Sequence, residues 1–83
     1  MSTDQKVKQV LSSVLNLGDR VAQFEASTPL LGAVPELDSM AVVSLLTALE
    51  EKFGFTIEDD EVDSRTFASV GSLVAFVESK LAA

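Results

Sequence analysis

The sequence contains no cysteine and no histidine. Without cysteine there is no disulfide framework, no thiolate metal site and no thiol nucleophile. Without histidine the commonest general base and metal ligand are missing, and so is any Ser-His arrangement. Basic residues are scarce as well: six Lys and Arg stand against thirteen Asp and Glu, a formal net charge of −7. Such a chain is repelled by nucleic-acid phosphates and anionic lipid and attracted to basic protein surfaces. No apolar run approaches the roughly 20 residues needed to span a bilayer. Residues 1–8 are polar and mixed in charge, with no apolar signal region, so a cytoplasmic location is expected.

What remains is an 83-residue chain in which 47% of residues are hydrophobic. A domain of this size buries only about 60% of its unfolded surface, so one thin core is expected, in a single domain spanning residues 1–83 and acting as a monomer. Val7, Val10, Leu11, Val14 and Leu15 recur at helical spacing and predict a helix over 4–17, capped by Thr3 or Asp4 and ended by Gly18. Residues 18–38 hold both prolines and two glycines, but also Val21, Phe24, Leu30, Leu31, Val34 and Leu37. That is an ordered loop lying on the core, with a helical turn near residues 19–24. Loops this long in small domains are usually functional.

A second helix is predicted over 39–53, with Met40, Val43, Leu46, Leu49 and Phe53 as its buried stripe, widened by Val42 and Leu45, and Gly54 as its stop. Ile57 is expected to be buried between helices. Residues 58–63 are acidic at five of six positions, and a short helix is predicted over 59–64. A last helix over 70–81, capped by Ser69, would bury Val70, Leu73, Val74, Val77 and Leu81, and Ala82 and Ala83 would fray. No strand pattern competes. The fold class is all-α: a small antiparallel bundle of three main helices plus one short helix, with a long first loop.

The second helix opens on two polar residues, Asp38 and Ser39, where one would serve as a cap. Neither is followed at the third position by the Glu or Gln of a capping box, since Ala41 and Val42 stand there. From spacing alone, either could be the cap.

The stretch "DSMAVVSLLTALEEKFGFTIEDDEV", followed by "TFASVGSLVAFVESKL", resembles the acyl carrier protein family. The likeness runs from Asp38 to Leu81; before that only helix and loop lengths agree. The resemblance implies a non-enzyme. Ser39 would be esterified by 4′-phosphopantetheine, donated by coenzyme A through a phosphopantetheinyl transferase. The arm's thiol would carry an acyl thioester to acyl-loading and acyl-transfer enzymes. Asp38 would help position the transferase's metal-bound coenzyme A, cap the helix, or both. Met40 and Val43 would touch partners, and Glu50, Glu51, Asp59, Asp60 and Glu61 would form a patch for basic docking surfaces. A thiol supplied from outside suits a chain that has none, and a helix N-terminus suits a phosphodiester.

The sequence also departs from the family. Fatty-acid-type carriers place acids early in the second helix, where Ala41 and Ser44 stand. Many carriers have Gly three residues before the serine, where this chain has Glu36. Both departures imply a dedicated carrier with its own partners. The stretch "LLGAVPELDSMAVVSLL" is similar to carriers of exosortase and exopolysaccharide clusters. The alternative reading is a helical interaction module that binds through its acidic face without a prosthetic group. Calcium binding by alternating Asp59, Glu61 and Asp63 fails because the positions requiring Gly and Glu hold Ser64 and Val70. A serine hydrolase fails for want of G-x-S-x-G and histidine.

Overall fold

The computed structural model describes residues 2–82; Ala83, and the side chain of Asp59 with its expected docking role, lie outside the described residues. Three α-helices, α1 (Thr3–Leu15), α2 (Ser39–Phe53) and α3 (Val70–Ala82), are joined by connections that contain 3-10 turns at Gly18–Gln23 and Asp59–Glu61. The fold is all-helical, as expected. Among the described residues the only β-type pairing is an isolated bridge between Pro29 and Ser69.

Helix α1 packs against both α2 and α3. It buries Val7, Val10, Leu11 and Leu15, the face set by its helical spacing. Its start is capped by Ser2, not by Thr3 or Asp4. The Ser2 hydroxyl donates to the Asp4 carboxylate, and its amide donates to Gln5 Oε1. Its end comes two residues earlier than predicted. Asn16 takes the left-handed conformation expected of Gly18 (φ 57°), and its N–H donates to the Ser12 carbonyl. Asn is the non-glycine residue that best tolerates this region, because its short side chain bonds locally. Gly18 also has positive φ, at 60°, and opens the first 3-10 turn.

The long connection is ordered, as predicted. Leu17, Leu30, Val34 and Leu37 are buried, while Val21 and Phe24 pack half-buried against the same core. Its backbone is clamped to the start of α3. The Ala26 carbonyl accepts from Gly71 N at 2.8 Å, and the Thr28 carbonyl accepts from Val70 N at 2.9 Å. Leu30 N and Leu31 N donate in return to the Ala68 and Phe67 carbonyls. Helix N-termini leave amides without intrahelical partners; here the loop supplies the acceptors. Ser69 completes the cap as predicted, its Oγ accepting from Ser72 N at 3.1 Å while Ser72 Oγ accepts from Ser69 N at 3.0 Å.

Helix α2 spans the expected residues, and Gly54 ends it with φ 75°. The buried face keeps most of the expected stripe but not Met40 and Val43. Leu45 and Leu49 are fully buried, with Ala41, Val42, Leu46, Ala48 and Phe53 beside them. Met40 is 74% exposed and Val43 60% exposed. The helix is apolar around most of its circumference, so the spacing marks a wider face than the core covers; the fold buries the side of Leu45 and Leu49 and leaves that of Met40 and Val43 to solvent. The predicted 59–64 helix shrinks to Asp59–Glu61, because Val62 turns extended (φ −120°, ψ 147°) and ends it. Ile57 is only half-buried. In α3, Val70, Leu73 and Val77 are buried and Val74 is half-buried; Leu81 is exposed, and the helix continues through Ala82. The centre of the core is built from all three α-helices and the first loop: Leu11 of α1, Leu30 of the loop, Leu45 and Leu49 of α2, and Leu73 of α3.

Candidate functional site

The start of α2 settles which of the two polar residues caps it. Asp38 is extended (φ −105°, ψ −175°), and its Oδ1 accepts from Ala41 N at 2.8 Å. Its carbonyl accepts from Val42 N at 3.0 Å, the first bond of the helix. Ser39 is therefore not needed as a cap. Its side chain is exposed, and its hydroxyl has no partner among the described residues. The amides of Ser39 and Met40 also lack an acceptor among those residues. An exposed hydroxyl thus lies beside two unpaired N–H donors at the positive end of a helix, a setting that fits a phosphodiester.

The chain reaches this point under restraint. Val34 and Leu37 are buried, Leu37 N donates to the Val34 carbonyl, and Asp38 N donates to the Glu36 carbonyl at 3.1 Å. The Glu36 side chain pairs with Arg20 at 2.8 Å. The hydrogen bond from Arg20 holds the Glu36 carboxyl below its ordinary range.

Past Asp38 and Ser39 the exposed surface of α2 is apolar or neutral. Met40, Val43, Ser44 and Thr47 are exposed along α2, and the first acid on that face is Glu51. Leu31, on the loop, is 43% exposed. It lines a cleft of about 250 Å³ with Val42, Val62, Asp63, Ser64 and Phe67, almost wholly apolar. A larger, open groove of about 650 Å³ runs between α1 and the first 3-10 turn but holds none of the predicted site residues.

The predicted acidic patch is divided between solvent and internal bonds. Glu51 and Asp60 are exposed. Glu50 is half-buried, and its Oε2 accepts from Ile57 N at 2.6 Å, fastening the connection to the end of α2. The Glu61 carboxylate accepts from Glu58 N at 2.7 Å and from Lys80 Nζ at 2.7 Å. The Glu58 backbone N–H, then Lys80, keep its carboxyl below the ordinary range. Lys80 also stands 5.9 Å from the centre of the Phe55 ring, which stacks on Phe53. Nothing in the sequence singles out Lys80 or Arg20, and Leu31, expected to lie on the core with the rest of the loop, is exposed instead. The Lys80–Glu61 pair joins residues nineteen apart, and nothing in local spacing signals it.

A family model described as a phosphopantetheine attachment site matches residues 5–77. An acyl carrier protein of Exiguobacterium sp. is 36% identical over 85 residues, covering 98% of this chain and all of that one. One from Sulfurovum sp. is 38% identical over 80 residues, covering 95% and 99%. The solution structure of a holo acyl carrier protein from Nitrosomonas europaea superposes with a TM-score of 0.93 at 52% identity, over the whole of both chains. Sequence and fold thus agree, and the chain belongs to the acyl carrier protein family: a carrier and not a catalyst, whose prosthetic group is a covalently attached 4′-phosphopantetheine.

Proposed function

We propose that Ser39 is the attachment point, that a phosphopantetheinyl transferase loads it from coenzyme A, and that the loaded carrier serves enzymes of a dedicated pathway. The observation that carries the Ser39 assignment is the division of labour at the start of α2. Asp38 already holds the Ala41 amide. The Ser39 hydroxyl therefore stays exposed on the first turn, with unpaired amides beside it to receive a phosphate oxygen. When bound, the prosthetic group supplies the thiol that the chain lacks, and acyl groups are held on it as thioesters.

The chain's own residues hold the helix end rigid through Asp38 and present a partner surface. That surface consists of Met40 and Val43 beside the serine, with Glu51 and Asp60 farther along and Glu50 and Glu61 in the same acidic segment. The neutral stretch of α2 before Glu51 supports partners other than those of a housekeeping fatty-acid carrier. The absence, among the described residues, of a helix long and apolar enough to cross a membrane is compatible with work in the cytoplasm.

The test is intact mass after co-expression with a broad-specificity transferase. The wild-type chain is expected to gain one phosphopantetheine, and Ser39→Ala none. A wild-type chain left unmodified by several transferases would mean an interaction module without a prosthetic group.

A further inference from the structure

The segment that delivers Ser39 is braced by a single ion pair from a distant part of the chain. Arg20 lies in the first 3-10 turn, Gly18–Gln23, and its guanidinium meets Glu36 Oε2 at 2.8 Å. Glu36 stands three residues before Ser39. Its carbonyl accepts from Asp38 N at 3.1 Å, and Asp38 Oδ1 in turn accepts from Ala41 N at 2.8 Å. An unbroken series of polar contacts therefore runs from Arg20 through Glu36 and Asp38 into the first turn of α2.

The other Glu36 oxygen, Oε1, is buried and has no hydrogen-bond partner. A buried acceptor left unpaired is destabilising, and an apolar residue of similar size would avoid that penalty. Stability alone gives a poor account of a carboxylate here. The buried neighbours Val34 and Leu37 fix how deeply the segment sits. Apolar contacts are non-directional, whereas the guanidinium–carboxylate contact and the Asp38 N–H bond fix its rotation.

We infer that Arg20 and Glu36 form a positioning clamp that sets how the Ser39 hydroxyl is presented to the transferase. This rests on Ser39 being the attachment point. Arg20 and Glu36 touch neither the hydroxyl nor the two unpaired amides; they act through the Glu36 carbonyl and the Asp38 amide. Both side chains reach solvent, so the clamp is weakened by salt and its effect on loading is roughly two- to fivefold, in keeping with exposed ion pairs.

The experiment compares the wild-type chain with Arg20→Gln, Glu36→Gln and the charge swap Arg20→Glu/Glu36→Arg. Loading from coenzyme A by a purified broad-specificity transferase is followed by intact mass over a range of carrier concentrations. Exchange of the Asp38 amide with solvent is measured by NMR on the same unloaded samples. Each single variant is expected to lose about two- to fivefold in kcat/KM and to exchange the Asp38 amide faster. The swap should recover most of both losses. Single variants that load at the wild-type rate would overturn the inference, and so would slowed loading that the swap does not restore. A wild-type chain that is not loaded at all defeats the Ser39 assignment instead. The role in loading then falls with that assignment, and Asp38 exchange tells the two failures apart: faster exchange in the singles with recovery in the swap shows that the contact still positions the start of α2, and unchanged exchange refutes the clamp itself.

Discussion

Replacing Gly71 by alanine sets two well-measured effects against each other. Gly71 is the second residue of α3. In an exposed helix interior, Gly→Ala stabilises by about 1 kcal/mol through helix propensity. Here a Cβ would lie 2.8 Å from the Ala26 carbonyl oxygen and 3.3 Å from the Ala26 Cβ. The nearer atom is backbone and is already engaged, since that same carbonyl accepts from Gly71 N. It cannot move away without lengthening the bond, and its displacement pulls on the adjacent contact between Val70 N and the Thr28 carbonyl. Overpacking costs about 1–3 kcal/mol, and a lost backbone hydrogen bond costs about 1 kcal/mol. Set against the propensity gain, the net is a destabilisation of about 2 kcal/mol, since the opposing gain is only about 1. For a domain of this size that lowers the thermal midpoint by roughly 10 °C. Thermal unfolding followed by circular dichroism measures it directly. A Gly71→Ala chain as stable as wild type, or more so, would refute the reasoning, because it would show that the loop yields to the methyl group freely.

Asp38→Ala removes the α2 cap and should cost about 1 kcal/mol, whereas Ser39→Ala should change stability by less than about 0.5 kcal/mol yet accept no phosphopantetheine; chemical denaturation and intact mass separate the two. Glu50→Ala should destabilise by about 1 kcal/mol through loss of the acceptor for Ile57 N, while Glu51→Lys should leave folding intact and weaken binding to a cognate enzyme in a salt-dependent way, which calorimetry at two ionic strengths would show. Glu36, Glu61 and Asp63 are all held below their ordinary carboxyl range, Glu36 and Asp63 first by hydrogen bonds from Arg20 and Arg65, and Glu61 first by the Glu58 backbone N–H and then by Lys80. Their folded values are the lower ones, so the stability they add is complete above the unfolded range near about pH 4 to 4.5 and is lost as pH falls through the folded values. The unfolding midpoint should therefore decline on acidification below about pH 4.5, and Glu61→Gln should flatten that decline.

The helices of this protein are legible because their apolar residues recur with a helical period and stop at glycine or a small polar residue. Ser69 capping α3, Gly54 ending α2 and the buried residues of the long loop all follow from local rules. The failures have local causes too. Asn16 and Gly18 compete for one left-handed position at the end of α1, and the spacing favours the glycine while the chain uses the asparagine. Met40 and Val43 share one wide apolar face with Leu45 and Leu49, and only packing against α1 decides which part of it is buried. The choice between Asp38 and Ser39 turns on a single backbone geometry, which two adjacent cap-forming residues leave open. The engagements of Glu50, Glu61 and Glu36 lie outside sequence reasoning altogether, because each joins residues seven to nineteen positions apart with no periodicity to mark them.

The carbonyls that complete the first turn of α3 come from residues 26 and 28, more than forty positions earlier in the chain. A helix of thirteen residues is marginal in water by itself, and this one begins on donors that only a distant loop can satisfy. Its first turn cannot settle until the N-terminal half has come round to meet it. Folding should thus be limited by closing that long span and not by forming any one helix. The two halves of the chain, expressed as separate fragments, should each remain largely unstructured until they are mixed.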